Sequence, residues 1–337
     1  MIRKLDSPPY TIDSRVLTRF DQRQTVFGRR RRDVEAGFCG KGVHDQARQM
    51  IARDQQGYSR LEFARLRAAW TVSDHFRGAY SWQKLGNPHP LVSQLGQHRV
   101  TDPARMTQQT KETARMYGAA LVGVCRLDRR WVYSRDMGGN LIDIPPEFKY
   151  AIVMAVRMDS AAIQTSPAFL AGTATGVGYS RMAFSIACLA EFIRNLGYKA
   201  IPMGNDTAPS IPLALDAGLG ELGRNGLLIT PQYGPCVRLC KVFTDLPLEP
   251  DPPIAFGVTE FCKSCRKCAD ACEVDAIQSD PDPSFRIVCR SNNRGILRWA
   301  VNHDQCYSFW IENGASCATC IAACPFTRRA AAALQKM

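Results

Sequence analysis

The chain has 337 residues, 45% hydrophobic and 22% charged, with 43 Lys and Arg against 31 Asp and Glu for a formal net charge of +12. This is ordinary globular composition; it excludes a mostly disordered chain and, with no Gly-X-Y period among its 25 glycines, a fibrous one. No apolar run is long enough to span a bilayer, because the best stretch, around 170–193, is broken by glycines and Arg181.

Residues 1–100 are polar and aromatic with weak periodicity, punctuated at their end by Pro88, Pro90 and Pro103, and are expected to form a helical and irregular wrapping segment. From Thr101 the pattern predicts a helix to Gly118, then buried strands over Ala119–Cys125 and Tyr150–Val156. Apolar residues at Met182, Ile186, Leu189, Phe192 and Ile193 mark one face of a helix that Gly197 is placed to stop. A strand over 198–203, a short helix over Ser210–Ala217 and strands over Gly226–Thr230 and Val237–Phe243 complete an α/β unit spanning 101–253. A cysteine-rich domain over 254–337 follows.

Of 14 cysteines, nine fall between Cys262 and Cys324. The first run, Cys262-Lys-Ser-Cys265-Arg-Lys-Cys268-Ala-Asp-Ala-Cys272, has the C-x2-C-x2-C-x3-C spacing of bacterial ferredoxins that hold 4Fe-4S clusters. In that pattern three thiolates on a tight loop hold three corners of one cubane, and the fourth cysteine serves a second. A second run exists in Cys317-Ala-Thr-Cys320-Ile-Ala-Ala-Cys324-Pro325, with Cys306 eleven residues earlier to complete it. The crossing rule assigns Cys262, Cys265, Cys268 and Cys324 to one 4Fe-4S cluster and Cys272, Cys306, Cys317 and Cys320 to the other. Zinc also takes four cysteines, but zinc ribbons pair two from each of two knuckles and do not call for this three-plus-one division. Glu273 stands where the ferredoxin pattern has proline after Cys272, a slight departure that leaves the ligands intact. Cys39, Cys125, Cys188, Cys236, Cys240 and Cys289 have no mutual spacing of a site and are expected to be buried structural thiols.

The chain opens Met-Ile-Arg-Lys-Leu-Asp with no apolar signal stretch, and the basic run Arg29–Arg32 is followed by Asp33-Val-Glu-Ala-Gly-Phe-Cys rather than the apolar core of an export signal. A solvated basic run and a cytoplasmic protein are the expectation. The positive charge suits a polyanion or an acidic redox partner, but the arginines are not interleaved with a nucleic-acid motif, which argues against nucleic acid.

An isolated ferredoxin needs only the tail, so the rest of the chain either docks a partner or holds a second cofactor and a substrate. The stretch Met203-Gly-Asn-Asp-Thr-Ala-Pro-Ser-Ile-Pro-Leu-Ala-Leu-Asp-Ala-Gly-Leu-Gly-Glu-Leu-Gly-Arg-Asn-Gly, running on to Tyr233-Gly-Pro235, resembles the corrinoid-binding core of the reductive dehalogenases. The likeness continues through Val237-Arg-Leu-Cys-Lys-Val-Phe-Thr-Asp-Leu-Pro247 and both cysteine runs, includes Leu121–Asp128 and Trp131-Val-Tyr133 upstream, and covers roughly 115–330. It implies a nitroreductase-like α/β core with a C-terminal ferredoxin-like two-cluster domain, and a base-off cobalamin as second cofactor. In keeping with that, Ser73-Asp-His-Phe-Arg-Gly78 misses the Asp-x-His-x-x-Gly motif of histidine-ligated corrinoids by one place.

The residues resembling the family's catalytic set are Tyr179, Asn205 and Arg238. Replacing carbon–halogen by carbon–hydrogen needs two electrons and one proton, which a phenol can give if a nearby guanidinium stabilises the phenolate left behind. Arg238 has that expected role, and Asn205 orients the pair. For the cofactor the resemblance points to Ser180, Arg181, Met203, Thr207, Gly223, Gly226 and Leu227, with the glycines of 217–226 letting backbone approach a large ligand. For the substrate it points to Thr175 and Trp310, with Phe38, Trp131 and Tyr133 as aromatic walls. His75 and His303 are expected to face solvent or to be hydrogen-bonded, without catalytic duty.

The implied activity is reductive removal of halide from an organohalide, probed best with a halogenated aromatic or phenol. The sequence contains no fused reductase, so electrons are expected from a separate low-potential ferredoxin, flavodoxin or reductase. Two alternatives stand beside it. Epoxyqueuosine reductase, a related tRNA-modifying enzyme, uses an aspartate as proton donor, and Asp206 stands where that aspartate would fall; Asn205, Tyr179 and Tyr233-Gly-Pro235 fit the dehalogenases better, and the 13 residues after Cys324 leave no room for that family's helical-repeat extension. A non-catalytic iron-sulfur carrier would hold iron and no cobalt.

Overall fold

The computed structural model describes residues 2–35, 43–75 and 94–328. Its centre is a four-stranded sheet of β1 (Leu121–Arg126), β2 (Tyr150–Arg157), β3 (Ala200–Met203) and β4 (Val237–Thr244), in the order β1-β2-β4-β3. Every pairing is antiparallel, with Gly123 opposite Val153, Met154 opposite Cys240 and Met203 opposite Lys241.

These strands read as continuous apolar runs because both faces of the sheet are covered. Successive side chains alternate between faces. Val122, Val124, Ile152, Met154, Cys240 and Val242 pack on one side with Met182, Ile186, Leu189 and Ile193 of the helix Phe169–Asn195 and Met106 of the helix Pro103–Met116. Ala151, Val153, Ile201, Met203 and Phe243 pack on the other with Leu213 and Leu215 of the helix Ser210–Asp216 and with Trp131 and Tyr133. Asp102 caps the helix Pro103–Met116 by accepting from the Arg105 N–H, with proline at its first position. Gly197, at φ 84°, ends the long helix as the sequence predicts.

Two elements differ from expectation. The long helix begins at Phe169, well before Met182, because Gly172 and Gly176 let other chain segments press against it: a Cβ at Gly176 would stand 2.7 Å from the Trp70 ring. The strand placed at Gly226–Thr230 shrinks to Leu228–Ile229, paired with Glu221–Leu222 in a separate two-stranded hairpin. Within 217–226, Gly218 and Gly220 lie close against backbone, a Cβ there standing 2.3 Å from the Pro252 carbonyl and 2.0 Å from the Ile229 carbonyl, whereas Gly223 and Gly226 face side chains of Ile229 and Val301.

The first residues run along the surface as a short strand, Arg3–Lys4, paired with Ile254–Ala255. Tyr10, Ile12 and Phe20 then lie on the core beside Trp131 and Tyr133. Helices Val26–Glu35, Val43–Ala52, Arg60–Ala69 and Thr71–His75 follow. The basic run is not simply solvated: Arg29 is ion-paired with Asp304 and donates to Ser291. No helix among the described residues is long and apolar enough to cross a membrane.

Candidate active site and cysteine centres

Tyr179, Asn205 and Arg238 come from three elements and meet at one edge of the sheet. Arg238 is the second residue of β4, on the face turned to the long helix. A Cβ at Gly178 would stand 2.9 Å from Arg238 Cγ, so the missing side chain makes room for the arginine's passage over the helix. Its guanidinium carbon lies 5.1 Å from the centre of the Tyr179 ring. Its Nη2 donates to Thr175 Oγ1 one helical turn earlier at 3.1 Å, and its buried Nε has no partner among the described residues. Asn205 follows β3 and donates from Nδ2 to the Tyr179 hydroxyl at 2.8 Å. The phenol oxygen thus accepts, and its own proton has no acceptor among the described residues.

Two residues that the sequence reading passed over complete this arrangement. Trp70, at the end of the helix Arg60–Ala69, stacks on the Tyr179 ring with centroids 5.0 Å apart and planes at 25°. Lys241 sits on the opposite face of β4, fully buried, and its ammonium donates to the carbonyls of Gly204 at 2.7 Å and Asp206 at 3.1 Å and to Ser210 Oγ at 3.3 Å. The register that sets Met203 opposite Lys241 puts the Asn205 loop directly over it. Burial pushes the Lys241 ammonium down to about 8, against the pull of Asp206. A lysine inside an apolar strand was the available signal. Trp70 had none, since its partner is far away in sequence.

Asp206 is turned in on its own loop: Oδ1 accepts from the Gly204 N–H at 2.9 Å and Oδ2 from Thr207 Oγ1 at 3.0 Å. Thr207 itself takes φ 65°, so the carboxylate braces a strained turn.

The other candidate residues are dispersed. Ser180 donates to the Ala69 carbonyl at 2.6 Å and accepts from the Ser73 N–H at 3.2 Å, fastening the N-terminal helices. Arg181 is exposed, Met203 and Thr207 are buried, and Leu227 packs at the edge of the cluster formed by Met158, Cys236 and Ile321. Gly223 borders the first cysteine cavity, and Gly226 faces Val301. Trp131 is core, edge-on to Tyr10 on the sheet face away from Tyr179, so it forms no wall there. Tyr133 is also core, although its N–H donates to the Thr207 carbonyl at 2.9 Å. Trp310 packs against Phe27 and Tyr307, its buried indole N–H without a partner among the described residues. Phe38, Cys39 and the His75 side chain lie outside the described residues. His303 is half-buried, and burial, with Arg298 adding to it, drives its imidazole down to about 4, so it is neutral near neutral pH. Cys125, Cys236 and Cys240 are buried thiols as expected, whereas Cys188 and Cys289 are only half-buried.

In the tail, Cys262, Cys265, Cys268 and Cys324 line one small cavity with Phe261, Phe326 and Arg224. Cys306, Cys317, Cys320 and Cys272 form a second set within electrostatic reach of one another: burial and then Cys317 and Cys272 push the Cys306 thiol up, and burial and then Cys317, Cys306, Cys268 and Cys272 push up that of Cys320. Among the described residues no three such side chains close on a single metal ion, and the first set instead surrounds a space. Both sets match the crossing rule and fit two cubanes. Cys320 packs against the cluster of Cys268, Ile277 and Val301 and also against that of Met158, Ala174 and Cys236, which directly precedes β4, so the second set reaches from the tail to the core.

Residues 132–248 match the family described as reductive dehalogenase subunit, and residues 261–327 match the 4Fe-4S dicluster domain. Tetrachloroethene reductive dehalogenase of Sulfurospirillum multivorans is 40% identical over 304 residues, which covers 77% of this chain and 60% of that protein. An epoxyqueuosine reductase of Listeria monocytogenes is 31% identical over 121 residues, 35% of this chain and 29% of that one. Among solved structures, a catabolic reductive dehalogenase in complex with 3-bromo-4-hydroxybenzoic acid superposes with a TM-score of 0.73 at 23% identity, over 97% of this chain and 44% of that one. The chain therefore spans about 60% or less of the length of these dehalogenases. With core and tail both matched and the fold shared, the chain belongs to the reductive dehalogenase family, whose cofactors are a corrinoid and two 4Fe-4S clusters.

Proposed function

We propose that the chain carries out reductive dehalogenation, exchanging a carbon–halogen bond of an organohalide for carbon–hydrogen with two electrons and one proton. The observation that carries this reading is the Tyr179 hydroxyl: Asn205 donates to it, so its proton is free to leave toward a substrate. Arg238 over the ring favours the phenolate that remains, and Thr175 holds the arginine in place. The two cysteine sets would hold the 4Fe-4S clusters and pass single electrons inward, Cys272, Cys306, Cys317 and Cys320 being the inner set. A corrinoid at this edge of the sheet would supply a strongly reducing cobalt; Arg238 Nε, without a partner among the described residues, is a donor suited to a bound polar group. Asp206, with both carboxylate oxygens engaged in its own loop, is poorly placed to be the acid, which weighs against the epoxyqueuosine reductase alternative. The electron donor would be a separate low-potential ferredoxin, flavodoxin or reductase, and a halophenol is the substrate to try first.

The test is metal analysis and turnover on anaerobically reconstituted protein. About eight irons and one cobalt per chain are expected. Tyr179→Phe should abolish halide release and leave the cofactor spectra unchanged. Turnover that survives in Tyr179→Phe but is lost in Asp206→Asn would refute the acid assignment, and iron without cobalt would leave an electron carrier.

A further inference from the structure

Arg224 is the largest fully buried side chain among the described residues. Its Nε donates to the carbonyls of Cys262 and Cys265 at 3.1 Å each, its Nη1 to those of Gln278 at 2.8 Å and Asp280 at 2.7 Å, and its Nη2 to Cys262 at 2.6 Å and Lys263 at 3.5 Å. The guanidinium also lies over the Trp299 ring, 4.7 Å from its centre. All of these partners are uncharged. A guanidinium cannot shed its proton in a protein, and a buried charge without an opposite charge is strongly disfavoured. The side chain therefore calls for an anion, and it lines the cavity that Cys262, Cys265, Cys268 and Cys324 share.

A cubane held by four thiolates is such an anion, and it gains one more negative charge on reduction. We propose that Arg224 is the built-in counter-charge of the cluster held by Cys262, Cys265, Cys268 and Cys324, and that it raises the reduction potential of that cluster. This rests on the two-cluster reading above. The cation, itself fully buried, favours the reduced state over the oxidised one by direct attraction at a low effective dielectric. It also holds the loop carrying Cys262 and Cys265 through their carbonyls, so one residue positions two ligands and sets their electrostatics. A lysine would keep the charge and lose the fork of bonds; a glutamine would lose the charge.

The experiment is a redox titration followed by electron paramagnetic resonance on the full reconstituted chain, comparing wild type with Arg224→Gln and Arg224→Lys. Arg224→Gln, still holding about eight irons, should lower one of the two midpoint potentials by at least about 59 mV, a tenfold change in a one-electron equilibrium, and leave the other in place. Arg224→Lys should stay closer to wild type. Unchanged potentials in a fully loaded Arg224→Gln protein would overturn the proposal. Should Arg224→Gln fail to load the first cluster, Arg224→Lys decides. Full loading with near wild-type potentials supports the charge, and equal failure shows that the arginine supplies only its hydrogen bonds. A wild-type chain that takes up fewer than two clusters would overturn the underlying reading, and this proposal with it.

Discussion

Lys241 is a cation placed beneath the loop that carries Asn205. The carbonyls of Gly204 and Asp206, on either side of that residue, both accept from its ammonium. Replacing it by methionine removes the charged donor to both carbonyls, at about 1–2 kcal/mol each, and leaves them only the Ser210 hydroxyl at 3.5 Å on Gly204 and the Ala208 N–H at 2.7 Å on Asp206. Lys241→Met is therefore expected to lower stability by about 2–4 kcal/mol in denaturant unfolding and, on the proposed function, to slow halide release by freeing Asn205. The pH dependence has a definite sign. Because burial lowers the folded-state value to about 8, the unfolded chain holds the proton to higher pH than the folded one. Wild type should gain stability relative to Lys241→Met as pH rises from about 8 to about 10, and a constant difference across that window would contradict the burial argument. At this scale little was legible locally. Tyr179, Asn205 and Arg238 could be named only through resemblance, because a tyrosine in a helix or an arginine in a strand carries no mark of its partners. Trp70 and Arg224 were missed because their significance lies in residues distant in sequence.

Elements were easier to read where burial is two-sided. β1, β2 and β4 stand out as apolar runs since both faces of the sheet are covered, and the helix end at Gly197 is written in its backbone requirement. The first turns of the long helix were hidden because glycine and threonine there serve close packing, which no helix pattern reports. Of the two-residue strands, Arg3–Lys4 is held by its distant partner Ile254–Ala255 and Leu228–Ile229 by a tight local hairpin, rather than by propensity. The helix Ser210–Asp216 gives a test at this scale. Its last residue, Asp216, accepts from the Tyr10 hydroxyl at 2.7 Å and ties the N-terminal segment to the core. Burial pushes its carboxyl up to about 6, with Asp128 adding to the effect and the Tyr10 bond opposing it. The folded state thus binds the proton more tightly, so stability from this group is present below about pH 4 and is lost as pH rises through about 6. Asp216→Asn should stabilise the chain by about 1 kcal/mol at neutral pH, with the advantage gone below about pH 4, as followed by thermal unfolding.

Across the whole molecule, the cysteine tail and the sheet have different sources of stability. The sheet packs two continuous apolar layers, whereas the tail has two small apolar clusters, and its own cysteines take part in both. The expected division at about residue 253 can be tested on that basis. Removing iron with a chelator should expose backbone amides over 258–324 to hydrogen exchange while those of β1, β2 and β4 keep their protection; uniform loss would mean one cooperative unit. The cysteine spacing made the tail legible in advance, while its docking, with Cys320 packed against the cluster that includes Cys236 and Ala174, required the coordinates.

Trp70 reaches Tyr179 from an arm that precedes residues 132–248, the part matching the dehalogenase subunit. The aromatic backing of the phenol can therefore be redesigned by changing that arm, with the strand register and the iron wiring left alone. On the proposed function, substrate selectivity would have a handle here that is separable from electron delivery.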